Sequence, residues 1–360
     1  MEVTIPGLVD PHVHLREPGA EQKEDFDTGT AAALAGGITT IIDMPNNPGA
    51  PTTTQGALHD KIARASSRIR CDVGFYFGGT VASTRDFAHV EPHVFGLKVY
   101  LDTTTGDLLV DTLRETQQLF DAWPASRPLL VHAEDMTVAA VLGLIANRPR
   151  RVHFCHVSLA SELREIRSAK ERGLPVTCEV TPHHLFLSDE DAGSLGPYGT
   201  MKPPLRPRAD VDALWRNLDI VDMVASDHAP HTDAEKQAVP APYGVPGLET
   251  TLPLMLDAVA AGRLSLERVV DLMRDAPGRI FGVPLDAGSE VEIDLNESWR
   301  IDRHQLHTKC GWTPFDGARI RGRVRRVHLR GRLAVDGEEI IAQPGWGQVV
   351  RPSVSQGAAA

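Results

Sequence analysis

Two histidines separated by a single residue, His12 and His14, have the spacing of a pair of metal ligands. They end a β-branched run, and side chains at i and i+2 of a strand point to the same face. Both imidazoles can therefore reach one ion, and imidazole nitrogen is a common ligand of zinc. Other groups that could bind metal or move protons end or interrupt further apolar runs: Lys98, His132, His156, Glu179 and Asp227.

Eight short apolar runs in the first 230 residues must position these groups. Segments with helical periodicity lie between them, and eight alternations of strand and helix are typical of an α/β fold, the (β/α)8 TIM barrel. In such barrels the chemistry lies at the carboxyl ends of the strands, which is where the groups above fall. The predicted strands are 3–14, 38–44, 71–77, 95–101, 129–132, 152–157, 176–180 and 223–226.

The pattern changes near residue 284. Alternating strands and Gly-rich turns between 291 and 349 predict a small β-rich appendage that packs on the barrel. We therefore predict a barrel of residues 1–283 and an appendage of residues 284–351. We expect the tail, 352–360, to be disordered because it is small, polar and terminal.

An alternative to a metal site exists for each of its candidate residues. A single buried histidine is more often a hydrogen-bonded core residue than a ligand. Four at equivalent strand ends favour the metal, because a barrel interior is normally filled by Val, Ile and Leu. Lys98 would be repelled by a cation unless carbon dioxide converts its amine to a carbamate, a carboxylate that can bridge two ions. The alternative for Lys98 is a buried ion pair with Glu or Asp.

Composition excludes several other classes of protein. The formal charge is 37 − 48 = −11, which argues against nucleic acid as a main partner. Seven arginines between 319 and 332 form either a patch for an acidic partner or, as we favour, a solvated strand face.

The cysteines and the N-terminus indicate a cytoplasmic protein that does not bind membranes. No run of 18 apolar residues occurs, and no basic segment followed by an apolar run opens the chain. The four cysteines include no C-x-x-C pair, so neither a disulfide framework nor a zinc knuckle is indicated: Cys71, Cys155, Cys178 and Cys310.

Longer motifs surround these residues, and they carry a family resemblance. They are PGLVDPHVHLREPG at 6–19, GGIT at 36–39, MPN at 44–46, GLK at 96–98, CEVTPHHL at 178–185, ASDHAPH at 225–231, WTPF at 312–315 and GRVRR at 322–326. Through them nearly the whole chain resembles the dihydroorotases, in particular the dihydroorotase domain of the animal multifunctional pyrimidine-synthesis protein.

The resemblance implies two zinc ions held at the strand ends and bridged by an N6-carboxylated lysine. The implied ligands are His12, His14 and Asp227 for one ion, His132 and His156 for the other, and Lys98 between them. It also implies a third zinc ion that would use His12, Cys155 and Glu179. Without the resemblance, Cys155 would be interpreted as a packed core thiol.

The reaction that the resemblance implies is the reversible cyclisation of N-carbamoyl-L-aspartate to L-dihydroorotate in de novo pyrimidine biosynthesis. A metal-bridging hydroxide would attack the ring, with Asp227 as general acid and base. The implied substrate-binding residues are Arg16, Asn46, Thr104, Lys202, His231, Pro246 and Gly247. The alternatives to substrate binding are a surface ion pair with Glu17 or Glu24 for Arg16, and a role as a turn residue for Asn46.

The chain departs from the animal domain at two positions. Lys202 stands where that domain has an arginine, which keeps the charge but loses the bidentate fork, and Arg206 is a candidate to contribute instead. In the segment 102–106, which the resemblance identifies as a flexible lid, Thr105 replaces a phenylalanine. A weaker hydrophobic seal is therefore expected when the lid closes.

Two other functions remain to be distinguished. A hydantoinase, dihydropyrimidinase or allantoinase would share the metal ligands but has no need of Arg16 and Asn46 to bind the same carboxylate. A non-catalytic scaffold for aspartate transcarbamoylase would be expected to lose the His-x-His pair or the lysine. The predicted partners are the small-molecule substrate, a second copy of the chain in a homodimer, and aspartate transcarbamoylase.

Overall fold

A computed structural model describes residues 1–353 of the chain. Its strands are β1 (Glu2–Pro6), β2 (Leu8–Val13), β3 (Ile38–Asp43), β4 (Asp72–Phe75), β5 (Phe77–Gly78), β6 (Leu97–Tyr100), β7 (Leu129–His132), β8 (Val152–Phe154), β9 (Val176–Val180), β10 (Met223–Val224), β11 (Glu290–Arg300), β12 (Arg319–Leu329), β13 (Arg332–Asp336) and β14 (Glu339–Ile340).

The α-helices alternate with these strands along most of the chain. They are α1 (Phe26–Ala35), α2 (Gln55–Ser66), α3 (Phe87–Val90), α4 (Leu113–Ala122), α5 (Met136–Asn147), α6 (Ala160–Glu171), α7 (Pro182–Phe186), α8 (Ala192–Leu195), α9 (Arg208–Arg216), α10 (Asp233–Lys236), α11 (Leu248–Ala260), α12 (Leu266–Val270) and α13 (Ala276–Phe281). A π-helical turn, Asp271–Asp275, joins α12 to α13.

Strands β2 to β10 form a parallel barrel in which β4 and β5 act as one strand interrupted at Tyr76. The pairing runs β2-β3-β4 in one sheet and β5 to β10 in sequence order in the other. Backbone bonds from Phe95 N to Phe75 O (3.0 Å) and from His14 N to His228 O (2.8 Å) join the two sheets at both seams. The predicted (β/α)8 barrel is confirmed, and its strands bring their carboxyl ends to one face.

The outer helices form because their ends are capped and one side of each is apolar. Helix α1 begins at Asp25, whose carboxylate accepts a bond from Thr28 N (2.9 Å), and it buries Phe26 and Leu34. It ends where Gly37 adopts a φ of 78° and where an added Cβ would lie 2.8 Å from the Leu252 side chain. The tight turn brings the chain directly into β3.

The C-terminal region forms a five-stranded antiparallel sheet, in the order β1-β11-β12-β13-β14. The prediction of one barrel strand over 3–14 is therefore wrong in its first half. Residues 2–6 pair with β11, from Glu2 with Asp294 to Pro6 with Glu290, and the chain changes sheets at Gly7. The physical reason is that β-branched alternation specifies a strand without specifying its partner.

The arginine-rich strand β12 is a solvated, ion-paired surface, as favoured above. Arg326 lies 3.1 Å from both Glu292 and Asp336, and Arg323 lies 3.0 Å from Glu297. These pairs neutralise much of the positive charge within the sheet itself.

The start of the predicted disordered tail is ordered, which corrects that prediction for residues 352 and 353. Pro352 is buried, Ser353 N donates to Gly282 O (2.8 Å), and Arg127 donates to Ser353 O (3.3 Å). The rest of the predicted tail, 354–360, lies outside the described residues. Among residues 1–353, no helix is both long and apolar enough to cross a membrane.

Candidate active site

The residues singled out by their spacing meet at the carboxyl ends of the barrel strands. His12 lies on β2, Lys98 on β6, His132 at the end of β7 and Glu179 on β9. Three others follow their strands directly: His14, His156 and Asp227. All seven side chains are buried, with at most 8% of any residue exposed. Six of the barrel strands thus bring seven chemically active groups together at one face of the barrel.

One group of ligand atoms is centred on the Asp227 carboxylate. Its Oδ1 lies 3.1 Å from His14 Nε2 and 3.2 Å from His12 Nε2. One ligand atom from each of the three residues falls within 4.8 Å of the other two, which is a spacing that one ion could satisfy. Two imidazoles and a carboxylate match the donor preference of zinc.

A second group lies across the barrel axis. His132 Nδ1 and His156 Nε2 face each other at 2.8 Å, and the other ring nitrogen of each has no hydrogen-bond partner among residues 1–353. His12, Cys155 and Glu179 form a further set whose ligand atoms lie within 4.8 Å, and His12 Nδ1 contacts Glu179 Oε1 directly. The donor sets therefore fit metal ions.

Lys98 is fully buried between these groups. Its Nζ lies 2.9 Å from Cys155 Sγ, and within residues 1–353 it forms no ion pair with a carboxylate. The alternative interpretation of Lys98 as half of a buried ion pair therefore does not hold. A buried ammonium without a counter-ion is costly, and a carbamate among cations would remove that cost.

Burial sets the protonation of the ligands. It lowers the pKa of His12 and His132, and lowers those of His14 and His156 further, so these imidazoles are neutral and offer lone pairs. Burial raises the pKa of Cys155 to about 12, so a thiolate would form there only with a metal or another cation close by.

Backbone strain accompanies the site. His156 and Asp227 have φ values of 37° and 46°, and Arg16 has a φ of 62°. Non-glycine residues rarely adopt such angles, and they concentrate where packing holds a functional side chain in place. Here the left-handed turn directs each side chain back over the barrel mouth.

A cavity opens above these groups. Arg16 lines it, 2% exposed, and donates to Pro230 O (3.1 Å), with His231 Nε2 3.4 Å from its Nη2. Burial lowers the pKa of Arg16 to about 10, which leaves it cationic at neutral pH. It has no ion pair with Glu17 or Glu24, so its guanidinium is free to bind a carboxylate.

Asn46 links the metal ligands to the predicted lid. Its Oδ1 accepts a bond from His14 Nδ1 (2.8 Å), which leaves His14 Nε2 directed at Asp227. Its Nδ2 donates to Thr105 O (3.0 Å), and Thr105 Oγ1 donates to Tyr243 O (3.1 Å). The segment 102–106 therefore lies across the cavity, with Thr104 and Thr105 in its lining.

Three of the other predicted substrate-binding residues lie outside the cavity lining: Pro246, Gly247 and His231. Tyr243 and Gly244, just before them in the chain, line it. Gly247 precedes α11 and donates to His228 Nδ1 (3.2 Å). His231 Nε2 lies 3.4 Å from an Arg16 nitrogen. Substrate contact by these three residues stays a prediction.

Lys202 lines the cavity, 3.6 Å from the Glu134 carboxylate. Arg206 donates to the other Glu134 oxygen (3.0 Å) and to Ser158 Oγ (3.0 Å), and it is not part of the lining. The candidate replacement for a missing arginine fork is therefore already engaged by protein groups. A single ammonium group remains at this position.

Sequence analysis missed Tyr100, Tyr243 and Gly244 in the lining. Tyr100 carried a usable signal, because it lies two residues after Lys98 on β6 and so shares its face. Tyr243 and Gly244 carried none, because they belong to a loop whose path depends on contacts elsewhere.

Comparisons with known proteins agree with this geometry. The family model described as Dihydro-orotase-like matches residues 1–91. The chain is 45% identical to the Multifunctional protein CAD of Squalus acanthias over 97% of its own length, but it spans only 16% of that protein.

A shorter relative and a solved structure match over most of their own lengths. The chain is 33% identical to the Dihydroorotase of Pyrococcus furiosus, over 97% of this chain and 86% of that protein. The L-Hydantoinase (Dihydropyrimidinase) from Arthrobacter aurescens superimposes with a TM-score of 0.91 at 28% identity, over 97% of this chain and 89% of that one. The chain belongs to the dihydroorotase family.

Proposed function

We propose that this chain is a dihydroorotase, a hydrolase of cyclic amides that interconverts N-carbamoyl-L-aspartate and L-dihydroorotate. The observation that carries the proposal is the buried, unpaired Arg16 at the edge of a cavity whose floor is a complete set of metal ligands. Family membership supplies the substrate class, and Arg16 with Asn46 supplies a site for its carboxylate.

Two zinc ions per chain are part of the proposal. His12, His14 and Asp227 would hold one, His132 and His156 the other, and N6-carboxylated Lys98 would bridge them. His12, Cys155 and Glu179 would hold a third. When bound, zinc supplies Lewis acidity that polarises the ring carbonyl and lowers the pKa of water.

The chain's own residues would orient the substrate and move its proton. Arg16 and Asn46 bind the carboxylate, and Thr104 and Lys202 contact the rest of the substrate from the cavity wall. Burial raises the pKa of the Asp227 carboxyl, so Asp227 Oδ2 can hold a proton and deliver it to the ring nitrogen that leaves. The lid segment over the cavity excludes water from that step.

Metal content and substrate selectivity together test the function. Purified protein is analysed for zinc by plasma mass spectrometry, and hydrolysis of L-dihydroorotate, hydantoin and allantoin is followed by absorbance. Two or more zinc ions with selective dihydroorotate turnover support the proposal. Turnover of hydantoin in its place would assign the hydantoinase function, which the superposition on L-hydantoinase makes the second candidate. Metal binding without any turnover would indicate a non-catalytic scaffold.

The remaining proposals concern assembly. We propose a homodimer in the cytoplasm, an association with aspartate transcarbamoylase, and a barrel and appendage that meet near residue 284. Light scattering of the purified chain and copurification with tagged aspartate transcarbamoylase test the two associations. A monomer, or no transcarbamoylase above an untagged control, would reject the corresponding proposal.

A further inference from the structure

Tyr100 carries a buried hydroxyl that no described protein group satisfies. The residue ends β6, is 3% exposed, and lines the cavity beside Arg16 and Thr104. Within residues 1–353 its hydroxyl has no hydrogen-bond partner. Buried hydroxyls are normally paired, and one that is not costs free energy on folding. Because Tyr100 lines the cavity, a molecule bound there would supply the missing partner.

The ring of Tyr100 packs beside the residues of the cavity floor. Lys98 Nζ lies 5.1 Å from the ring centroid, and the His132 ring is 6.2 Å away centre to centre. The Tyr100 carbonyl accepts a bond from Val110 N (2.8 Å) where the chain returns from the lid segment. Tyr100 therefore lies between the proposed metal ligands and the lid segment.

The direction of the missing bond follows from the chemistry of the group. A tyrosine side chain carries one O–H that can donate, and it points at no acceptor among the described residues. A hydroxyl can donate, and the proposed substrate is rich in carboxylate and carbonyl oxygens. An oxygen acceptor in the cavity would complete the hydrogen bonding of Tyr100.

We infer that the Tyr100 hydroxyl donates a hydrogen bond to an oxygen of the bound substrate, and so is a further substrate-binding residue. The inference rests on the proposed dihydroorotase function. It adds a neutral donor at the wall formed by β6, beyond Arg16, Asn46 and Lys202.

A matched pair of isosteric variants tests the inference. Tyr100→Phe removes only the oxygen, and Tyr76→Phe removes a second buried, unpaired hydroxyl that lies in the barrel core outside the cavity lining. We expect Tyr100→Phe to lower kcat/KM for L-dihydroorotate by roughly 10- to 100-fold while zinc content and Tm stay at wild-type values. Tyr76→Phe should leave kcat/KM within about twofold of wild type.

The alternatives give different results. Wild-type kcat/KM in Tyr100→Phe would overturn the inference. Loss of zinc together with activity would also overturn it, because the hydroxyl would then serve the metal ligands or the carbamate of Lys98 and not the substrate. Absence of dihydroorotate turnover in the wild-type protein would instead reject the proposed function, so the two failures are separable.

Discussion

The two halves of the cavity are built in different ways. The floor consists of residues on or just after barrel strands, such as His12, Lys98 and His132, all buried and hydrogen-bonded to one another or to Cys155, Asp227 and His156. The upper wall consists of loop residues, Thr105 and Tyr243, joined through one hydrogen bond. Tyr243 is 38% exposed.

This contrast indicates that the floor holds metal and the upper wall admits and binds substrate. Parallel strands fix the direction and spacing of their side chains to within the tolerance that metal ligation requires, whereas loops can move to admit substrate. We therefore expect changes on the floor to abolish the reaction and changes on the upper wall to alter substrate binding by smaller factors.

Lys98→Ala should have the largest effect of any change discussed. Without the lysine no carbamate can bridge the two ions, and turnover of L-dihydroorotate should fall by at least about 10³-fold. The fold should persist, because within residues 1–353 the Lys98 side chain has only one hydrogen bond, to Cys155. Steady-state kinetics, zinc analysis and circular dichroism measure the three effects.

The matched control for Lys98→Ala is Lys170→Ala. Lys170 donates to Ile220 O and pairs with Asp222, outside the cavity lining, and its loss should leave turnover unchanged. Substantial turnover by Lys98→Ala would contradict the proposed bridging of two ions by Lys98. It would also contradict the expectation that changes on the cavity floor have the largest effects.

Arg16→Lys should have the next largest effect, because it lies where floor and wall meet. Lysine keeps the positive charge but loses the bidentate fork, so KM for L-dihydroorotate should rise roughly 10- to 100-fold with a smaller change in kcat. Unfolding temperature and zinc content serve as the controls. A loss of either in Arg16→Lys would mean that Arg16 supports the strained turn at the barrel mouth, and an unchanged KM would mean that it does not bind the carboxylate.

The same contrast explains how far the sequence could predict the site. The metal ligands could be located because strand periodicity fixes which side chains share a face, so His12 and His14 were placed together from their spacing alone. The loop contacts could not, and Tyr243 and Gly244 in the cavity lining were not predicted. The position of that loop depends on long-range contacts that no local pattern reports.

The fold shows the same limit in the strand predicted over 3–14. Its alternation correctly indicated extended structure, but residues 2–6 pair with β11, nearly 300 residues away. Strand pairing depends on the whole topology, and a single run of apolar residues is compatible with either sheet.

Lys236→Met should affect the upper wall by an intermediate amount. The buried Lys236 Nζ donates to the carbonyls of Thr200 (2.9 Å), Pro242 (2.9 Å) and Gly244 (3.1 Å), and so holds the Tyr243 loop in place. Loss of these bonds removes the partner that the structure gives to the Pro242 and Gly244 carbonyls, whereas Thr200 O still accepts from Gly244 N (3.1 Å). The protein should be destabilised by about 1 to 3 kcal/mol. KM should rise roughly three- to tenfold, with a smaller change in kcat, as the loop loosens.

Lys170→Met provides the comparison for Lys236→Met, because it also removes a lysine that donates to a backbone carbonyl. Thermal unfolding and steady-state kinetics are measured on both variants. If both lose stability but only Lys236→Met raises KM, the loop contacts bind substrate. If KM is unchanged in both, the upper wall contributes less to substrate binding than we expect from the contrast between the two halves of the cavity.

Thr105→Phe should have the smallest effect, and in the opposite direction. An aromatic ring on the segment over the cavity would cover more of its mouth and strengthen the seal against water, so KM should fall, or kcat rise, by about twofold. The substitution also removes the bond from Thr105 Oγ1 to Tyr243 O, which works against the gain. Thr105→Val separates the loss of the bond from the gain in apolar cover, because it removes that bond without adding a ring. A Phe variant that outperforms the Val variant would show that apolar coverage limits closure here, whereas identical kinetics would mean that the Asn46 bond to Thr105 O alone keeps the segment closed.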